Sequence, residues 1–216
     1  MSSIHKSTSR DYLARVNDKE FPKAKAASLA KQWGYDYWDG DRRICYGGYK
    51  YIPGRWMPIA QRMYDHYSLR DDSKILDIGC GKGFQLKEFH NISNKIGLRG
   101  IDISRYALDN AHPDLAPFLD HGSAVELPYS DNEFDFAFSI NTLHNLNNAD
   151  LERALQEISR VSKKQYICVE SFRTEEEKVN LLYWQLTCQQ FNSPSDWEWW
   201  FSKTGFKGDY SFIFFE

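Results

Sequence analysis

A run of glycines follows a short apolar stretch near residue 80. Residues 74–84 read Lys-Ile-Leu-Asp-Ile-Gly-Cys-Gly-Lys-Gly-Phe, so that one acid, Asp77, precedes three glycines at alternating positions. The apolar stretch is typical of a strand buried in a parallel sheet. Gly79, Gly81 and Gly83 indicate a tight turn from strand to helix, in which the backbone passes close to a ligand.

A second acid ends the next predicted strand, where Asp102 is followed by Ile103. In an open α/β sheet the carboxyl ends of neighbouring strands face one crevice, and an acid there can accept hydrogen bonds from both hydroxyls of a ribose. A glycine-rich turn alone is a weak signal. Together, the turn, Asp77 and Asp102 strongly indicate a site for a ribose-containing ligand.

The elements that would position these groups follow an alternating strand and helix pattern. Beyond residue 74 this pattern predicts an α/β fold, a doubly wound and mostly parallel sheet. The predicted strands cover 74–78, 97–103, 118–122, 134–140, 165–171 and 210–215. The predicted helices cover 22–33, 56–67, 84–90, 149–161, 175–191 and 194–205. We therefore expect a helical N-terminal segment with an aromatic lid loop over residues 1–73, and the ligand-binding domain over 74–216.

In these motifs the sequence resembles the class I S-adenosylmethionine-dependent methyltransferases. Residues 77–83 match the first motif of that family, Asp/Glu-x-Gly-x-Gly-x-Gly, and Asp102 matches its ribose acid. Residues 122–129 resemble the stretch that walls the adenine, and residues 134–146 resemble the fourth strand and its loop. Nicotinamide-binding folds differ, because their third glycine lies one residue later.

The resemblance implies S-adenosylmethionine as the cofactor and a set of residues that bind it. The glycine loop would hold the methionine end, Asp102 the ribose, and the backbone at Ser123 the adenine. Ser123 stands where the family usually has an aspartate, although a serine hydroxyl can also accept a hydrogen bond. The implied cofactor-binding residues are Asp77, Gly79, Cys80, Gly81, Gly83, Asp102, Ile103, Ser123, Ala124 and Asn141.

The resemblance also implies a sheet of the seven-stranded type that ends in a reversed hairpin. After the predicted helix at 194–205 only eleven residues follow, and they supply one convincing strand. We therefore expect a reduced C-terminal hairpin, with the sixth position of the sheet missing, irregular or filled from elsewhere.

Two residues are candidates for moving a proton from the acceptor. His144 lies three residues beyond Asn141, in a loop at the carboxyl end of a strand, and is the candidate general base. Glu170 ends the fifth predicted strand, faces the same crevice and could orient an amine or a hydroxyl. Alternatively, His144 fixes its loop and Glu170 caps the following helix.

The loop between the first two predicted helices is dense in glycine, aromatic and cationic residues. Tyr46, Tyr49 and Trp56 could form an aromatic wall of the acceptor site, while Lys50 and Arg55 could hold a phosphate or a carboxylate. A cationic acceptor in an aromatic cage is the opposing possibility. The loop could instead be an aromatic cap that packs on the sheet.

Composition narrows the class of protein. The 216 residues carry a net charge of −3, so no overall positive field attracts nucleic acid. The sequence shows neither an apolar run long enough to cross a membrane nor a signal peptide. The four cysteines are far apart, which argues against a metal site or disulfides and favours the cytoplasm.

These observations favour a methyltransferase that acts on an oxygen or nitrogen atom of a small metabolite, with an anionic one (phosphorylated, nucleotide-linked or a carboxylate) preferred. We expect a monomer or a homodimer, without nucleic acid, membrane or metal partners. Two alternatives stay open: a nicotinamide-dependent oxidoreductase on a similar sheet, and a non-catalytic cofactor-binding subunit of a partner enzyme.

Overall fold

A six-stranded, wholly parallel sheet forms the centre of the computed structural model, which describes residues 11–216. The strands occur in the order β3-β2-β1-β4-β5-β6. Their bounds are β1 Lys74–Ile78, β2 Gly97–Asp102, β3 Leu119–His121, β4 Phe136–Ile140, β5 Gln165–Glu170 and β6 Asp209–Ile213. All five pairings are parallel, so the carboxyl ends of the strands lie along one edge.

Helices flank the sheet on both faces. In the N-terminal part they are α1 Tyr12–Val16, α2 Lys23–Ala30, α3 Tyr35–Trp38 and α4 Met57–His66. Further along they are α5 Phe84–Ile92, α6 Arg105–Asp109, α7 Asn148–Val161, α8 Glu175–Trp184 and α9 Pro194–Thr204. Two short 3-10 segments occur at Ala116–Phe118 and Leu143–Asn145.

Strand β1 shows how the sheet divides the core into two layers. Successive side chains of a strand point to opposite faces. Ile75 accordingly joins the hydrophobic cluster that contains Met63 of α4, whereas Leu76 joins the cluster that contains Leu155 of α7. Ile75 and Leu76 are both fully buried, as expected for a strand covered on two faces.

The helix after β5 is shorter than its sequence pattern predicts. The prediction of a helix over 175–191 is wrong in its second half, because α8 ends at Trp184. Beyond it, the backbone N–H groups of Gln189 and Gln190 donate to the carbonyl oxygen of His144, at 2.8 and 3.0 Å. These bonds to a distant loop replace the helical ones and bring residues 185–190 across the carboxyl edge of the sheet.

The sixth position of the sheet is filled by β6, which runs parallel to β5. The described residues contain no reversed strand, so the sheet has six strands rather than the seven of the full family plan. Helix α9 makes the connection, with Trp197 fully buried against the sheet. The α/β prediction and the expected reduction of the C-terminal hairpin are both confirmed.

The N-terminal helices share a core with the sheet. Tyr67, just after α4, stacks on Phe136 of β4 with 4.2 Å between the ring centroids. The loop between α3 and α4 lies over the carboxyl ends of the central strands, where Tyr49 stacks on Phe84, 5.0 Å apart. A domain boundary near residue 73 remains a prediction.

Candidate active site

The glycine loop after β1 has the backbone shape that its sequence predicts. Gly79, Gly81 and Gly83 have φ angles of 80°, 54° and 74°, in the left-handed region that favours glycine. A Cβ atom on Gly79 would lie 2.0 Å from Oγ1 of Thr142, and one on Gly81 would lie 2.6 Å from a ring carbon of Trp38. No larger residue fits either position without displacing a neighbour.

Asp102 lies at the carboxyl end of β2, beside the glycine loop. Its two carboxylate oxygens accept hydrogen bonds from the backbone N–H groups of Gly81 and Ser104, each at 2.7 Å. Burial raises the pKa of Asp102, and these two hydrogen bonds oppose the rise. The next residue, Ile103, leaves 57% of its surface exposed. The carboxylate of Asp102 can accept hydrogen bonds from ribose hydroxyls, and the exposed side chain of Ile103 can pack on the attached base.

Ser123 and Ala124 follow β3 at the same edge of the sheet, and both are half-buried. The hydroxyl oxygen of Ser123 accepts a hydrogen bond of 3.4 Å from the backbone N–H of Val125, which leaves one of its lone pairs free. The predicted adenine side therefore lies next to the predicted ribose acid.

A central cavity of about 890 Å³ opens between the aromatic loop and the carboxyl ends of β1, β4 and β5. It brings together most of the residues that the sequence singles out. Those that line it are Tyr46, Tyr49, Lys50, Arg55, Trp56, Asp77, Gly79, Cys80, Asn141, His144 and Glu170. The remaining predicted cofactor residues are outside its lining: Gly81, Gly83, Asp102, Ile103, Ser123 and Ala124.

Two buried polar atoms beside the glycine loop lack hydrogen-bond partners among the described residues. Oδ1 of Asn141 can accept a hydrogen bond, and Nε2 of Gln85 can donate one. Asn141 has a φ angle of 57°, and both residues line the cavity. The Asn141 oxygen could accept a hydrogen bond from the ammonium group of a methionine moiety, and the Gln85 nitrogen could donate one to its carboxylate. Gln85 was missed by the sequence analysis, because a helical glutamine carries no functional signal.

Asp77 is buried in the cavity wall, where it is 4% exposed. Burial, together with the charge of Asp102, raises the pKa of Asp77 well above its ordinary value. A positively charged ligand beside Asp77 would offset this cost and favour the ionised carboxylate. S-adenosylmethionine carries both an ammonium and a sulfonium, so the site is suited to it electrostatically.

His144 and Glu170 meet on the far side of the cavity. Nε2 of His144 lies 3.6 Å from Oε2 of Glu170, and both side chains are buried. The side-chain amide of Gln185 donates to the same Glu170 oxygen. Burial lowers the pKa of His144 to about 3, so its imidazole is neutral at pH 7 and only weakly basic. The contact with Gln185 depends on the early end of α8.

The aromatic wall is a network of packed rings. Tyr46 stacks on Trp38 with 5.4 Å between the ring centroids, and the Tyr46 and Tyr49 centroids are 4.5 Å apart. Tyr46 leaves 36% of its surface exposed. Burial nevertheless raises the pKa of Tyr46 well above 10. The two observations agree because the exposed part of the ring lines the cavity rather than the outer surface of the protein.

An ion pair between buried Lys82 and half-buried Asp39 fastens the aromatic loop to the glycine loop. Nζ of Lys82 lies 2.6 and 2.8 Å from the two carboxylate oxygens of Asp39, and it also donates to the carbonyl oxygen of Tyr49. Asp39 accepts a further hydrogen bond from the hydroxyl of Tyr106. Sequence analysis missed this contact, because nothing local links residues 43 positions apart.

Cationic residues surround the mouth of the cavity. Lys50 and Arg55 line it as expected, and the Arg55 guanidinium lies 5.8 Å from the ring centroid of Trp56. Arg15 and Arg42 also line it. Arg43 is outside the cavity lining and pairs at the surface with Asp41 and Glu20.

Residues 11–216 contain no group of three or more histidine, cysteine, aspartate or glutamate side chains placed to hold a metal ion. Within the same range, each helix is too short or too polar to span a membrane.

Residues 76–169 match a sequence family described as "Methyltransferase domain". The match extends from β1 to the end of β5, and so includes the glycine loop, Asp102, Asn141 and His144. It covers the part of the chain that carries the predicted cofactor site.

Two curated proteins illustrate the range of relatives. The 24-methylenesterol C-methyltransferase 2 of Arabidopsis thaliana is 28% identical over 59% of this chain and 40% of its own length. The mitochondrial arginine-hydroxylase NDUFAF5 of Mus musculus is 37% identical over 49% of this chain and 29% of its own length. The chain therefore spans less than half of each of these relatives.

Solved structures share the architecture. The YcgJ protein from Bacillus subtilis superposes with a TM-score of 0.55 and 22% identity, over 67% of this chain and 66% of that protein. At this identity the likeness shows a common fold. The family match over residues 76–169 and this common fold agree with the resemblance to the S-adenosylmethionine-dependent methyltransferases.

Proposed function

We propose that this chain, whose residues 76–169 match a methyltransferase domain, is a class I S-adenosylmethionine-dependent methyltransferase that methylates an oxygen or nitrogen atom of a small, anionic molecule. We further propose that it acts in the cytoplasm without a nucleic acid, as a monomer or a homodimer. The free thiols of all four cysteines agree with a reducing compartment.

The observation that carries the proposal is the continuity of the cavity. One space joins Asp77, Gly79 and Asn141, beside the glycine loop, to His144 and Glu170. A cofactor held by the first group and an acceptor held at the second would share a space closed off by the aromatic loop. Enclosure excludes water and fixes orientation, which together supply much of the rate of such a reaction.

The position of each residue in the cavity suggests whether it would bind the cofactor or the acceptor. S-adenosylmethionine, when bound, supplies a methyl group on a positively charged sulfur. A lone pair of the acceptor attacks the methyl carbon, and the sulfur leaves with the electrons of the broken bond. Asp77, Gln85 and Asn141 would bind the methionine end, and Asp102 the ribose. His144, the candidate base, and Glu170 would orient the N–H or O–H group of the acceptor, and the aromatic loop would enclose the acceptor.

Calorimetric titration tests the cofactor assignment first. S-adenosylmethionine and its demethylated product, S-adenosylhomocysteine, should bind the purified protein at micromolar concentration, and NAD should not. The NAD control matters because the parallel order of this sheet also occurs in nicotinamide-binding folds. Binding of NAD alone would favour the oxidoreductase alternative.

The anionic character of the acceptor rests on Lys50 and Arg55 at the mouth of the cavity. Arg55→Ala should weaken acceptor binding and leave S-adenosylhomocysteine affinity intact. Arg43→Ala is the matched control, because Arg43 pairs with Asp41 outside the cavity. Equal losses of both affinities in Arg55→Ala would argue against the anion-binding role.

Product analysis separates methyl transfer from the chemistry named for the hydroxylase relative. Mass spectrometry of the modified acceptor should show the gain of one methylene group. Gain of an oxygen atom would instead favour hydroxylation. Cofactor binding without conversion of any acceptor would favour the non-catalytic subunit.

A further inference from the structure

Trp38, the last residue of α3, lies between the glycine loop and the aromatic wall. Its side chain is 7% exposed and is not part of the cavity lining. The six-membered part of its ring occupies the space that a Cβ atom on Gly81 would need. Tyr46 stacks on the same ring, with 9° between the ring planes. Trp38 is therefore packed against both parts of the site without facing the ligand space.

The indole nitrogen of Trp38 reaches the segment that follows β2. Nε1 donates hydrogen bonds to Oγ of Ser104 at 2.9 Å and to the carbonyl oxygen of Trp33 at 3.2 Å. The Ser104 hydroxyl donates to the same Trp33 carbonyl and accepts from the backbone N–H of Ala107 at 3.0 Å. A hydroxyl has one proton to donate and two lone pairs. These three bonds use all of them, so the Ser104 hydroxyl keeps none for a ligand.

The backbone of Trp33 takes an unusual conformation to complete this contact. Its φ angle of 54° is in the left-handed region, which is an outlier for a bulky residue. Such a conformation persists only where the surrounding structure holds it, and it is found most often at functional sites. Here the carbonyl oxygen of Trp33 accepts hydrogen bonds from both Trp38 and Ser104. The strained residue thus fixes the position of the other two.

Both backbone donors that orient the carboxylate of Asp102 are in contact with this one indole. The N–H of Ser104 donates to Oδ1 and the N–H of Gly81 donates to Oδ2, each at 2.7 Å. Trp38 holds Ser104 by a hydrogen bond and limits the position of Gly81 by the bulk of its ring. A shift of Trp38 would therefore move both donors and turn the carboxylate.

We propose that Trp38 is a positioning residue for the ribose of the cofactor. Through Ser104 and Gly81 it holds the Asp102 carboxylate so that both oxygens remain available to the two ribose hydroxyls. Trp38 does this without contacting the ribose itself. Because Tyr46 stacks on the same ring, one side chain positions the ribose acid and the aromatic wall together. This inference rests on the proposed function and adds two positioning residues, Trp38 and Ser104, to its cofactor site.

Two nucleosides that differ only in the ribose hydroxyls test the inference. Adenosine and 2′,3′-dideoxyadenosine are titrated calorimetrically into the unmodified protein, Ser104→Ala and Trp38→Phe. We expect the unmodified protein to bind adenosine about tenfold or more tightly, the scale of hydrogen bonds to a charged group. Ser104→Ala should reduce this preference about fivefold, the scale of one neutral hydrogen bond. Trp38→Phe also loses its contact with Gly81 and should reduce the preference at least as much.

The ratio of the two affinities separates positioning from general stability. A structural role alone would weaken both nucleosides equally and leave the ratio unchanged, which would overturn the inference. A lack of preference for adenosine in the unmodified protein would also overturn it.

Matched controls remove similar groups from α9, outside the cavity. Ser193→Ala removes another helix-capping serine, whose Oγ accepts a hydrogen bond from the backbone N–H of Asp196. Trp200→Phe shortens a tryptophan of similar burial, 8% exposed. Both variants should keep the full preference for adenosine. A reduction in them as large as in Ser104→Ala and Trp38→Phe would overturn the inference, because the effect would then follow from destabilisation alone.

A double-mutant cycle shows whether Ser104 acts through Asp102. Ser104→Ala should weaken S-adenosylhomocysteine binding about fivefold in the unmodified background and leave it unchanged in an Asp102→Ala background. Equal weakening in the two backgrounds would contradict the positioning role.

Failure of this inference differs from failure of the proposed function. A protein that binds S-adenosylhomocysteine and shows the same nucleoside ratio in all variants contradicts only the roles of Trp38 and Ser104. An unmodified protein that does not bind S-adenosylhomocysteine contradicts the proposed function, and this inference with it.

Discussion

Nε2 of His144 lies 3.6 Å from Oε2 of Glu170, although the two residues come from different strand ends. This distance is slightly too long for a hydrogen bond. Catalytic contacts are often long before substrate binds and shorten in the complex. The pair is buried, it faces the cavity, and Gln185 holds the carboxylate from the other side.

Acid should destabilise the protein in part through His144. An unfolded histidine takes up a proton below its ordinary pKa of 6.5, whereas burial keeps His144 neutral down to about 3. Stability is therefore lost as the pH falls through this window, with a slope of at most about 1.4 kcal/mol per pH unit for one proton. Urea unfolding measured at several pH values in this range should show that the unfolding free energy of His144→Gln depends less steeply on pH than that of the unmodified protein. An equally steep dependence on pH would contradict the depressed pKa.

The side-chain oxygen of Asn141 should contribute to cofactor binding. Asn141→Gly removes Oδ1 and tolerates the φ angle of 57°. We expect it to weaken S-adenosylhomocysteine binding about tenfold, the cost of one lost hydrogen bond to a charged group. Asn132→Gly is the matched control, since exposed Asn132 has a φ angle of 53°. Similar affinities for the two variants would remove Asn141 from the binding site.

Asp77 should stabilise the complex at the expense of the free protein. The pKa of Asp77 is higher in the folded state than its ordinary value of 3.8. The protein therefore loses stability as the pH rises from about 3.8 towards the pKa of the folded state. At neutral pH, Asp77→Asn should therefore stabilise the free protein by about 1 kcal/mol or more, as one pKa unit corresponds to about 1.4 kcal/mol. The same variant should bind S-adenosylmethionine more weakly. Thermal unfolding with and without cofactor measures both effects, and a variant that loses stability and keeps its affinity would contradict this role.

The ion pair between Lys82 and Asp39 should couple the two loops. Lys82→Met leaves Asp39, which is only partly buried, without this cation and should cost about 2 kcal/mol of unfolding free energy, the scale of a hydrogen bond to a charged group. Asp39→Asn combined with Lys82→Met should cost less than the sum of the single changes. Denaturant unfolding of all four proteins gives this coupling energy. Strict additivity would show that the contact contributes nothing.

Local sequence patterns account for the sheet and the glycine loop. Strand β1 and α7 agree with their predicted bounds to within one residue, because burial and periodicity are local properties. The predictions for His144 and Glu170 also depend only on the ends of strands, which parallel topology brings to one edge. The roles of the site residues remain predictions.

The rest depends on contacts between distant parts of the chain. The helical pattern of 175–191 does not reveal that the carbonyl oxygen of His144 binds the backbone of Gln189. Similarly, no local signal places Arg15 of α1 on Trp184, or Asp39 on Lys82. Local patterns therefore predict the strand ends and the glycine loop, but not the contacts that hold the aromatic loop over them.

Asp39 contacts both sides of the site, because it binds Lys82 in the glycine loop and the backbone N–H of Tyr49 in the aromatic wall. A cofactor that shifts the glycine loop must therefore also alter the wall that faces the acceptor. Thermodynamic reciprocity then applies: the factor by which a cofactor analogue changes acceptor affinity equals the factor by which the acceptor changes affinity for that analogue. If this coupling is positive, each ligand binds more tightly when the other is already bound, so S-adenosylhomocysteine should raise the affinity of the protein for its acceptor.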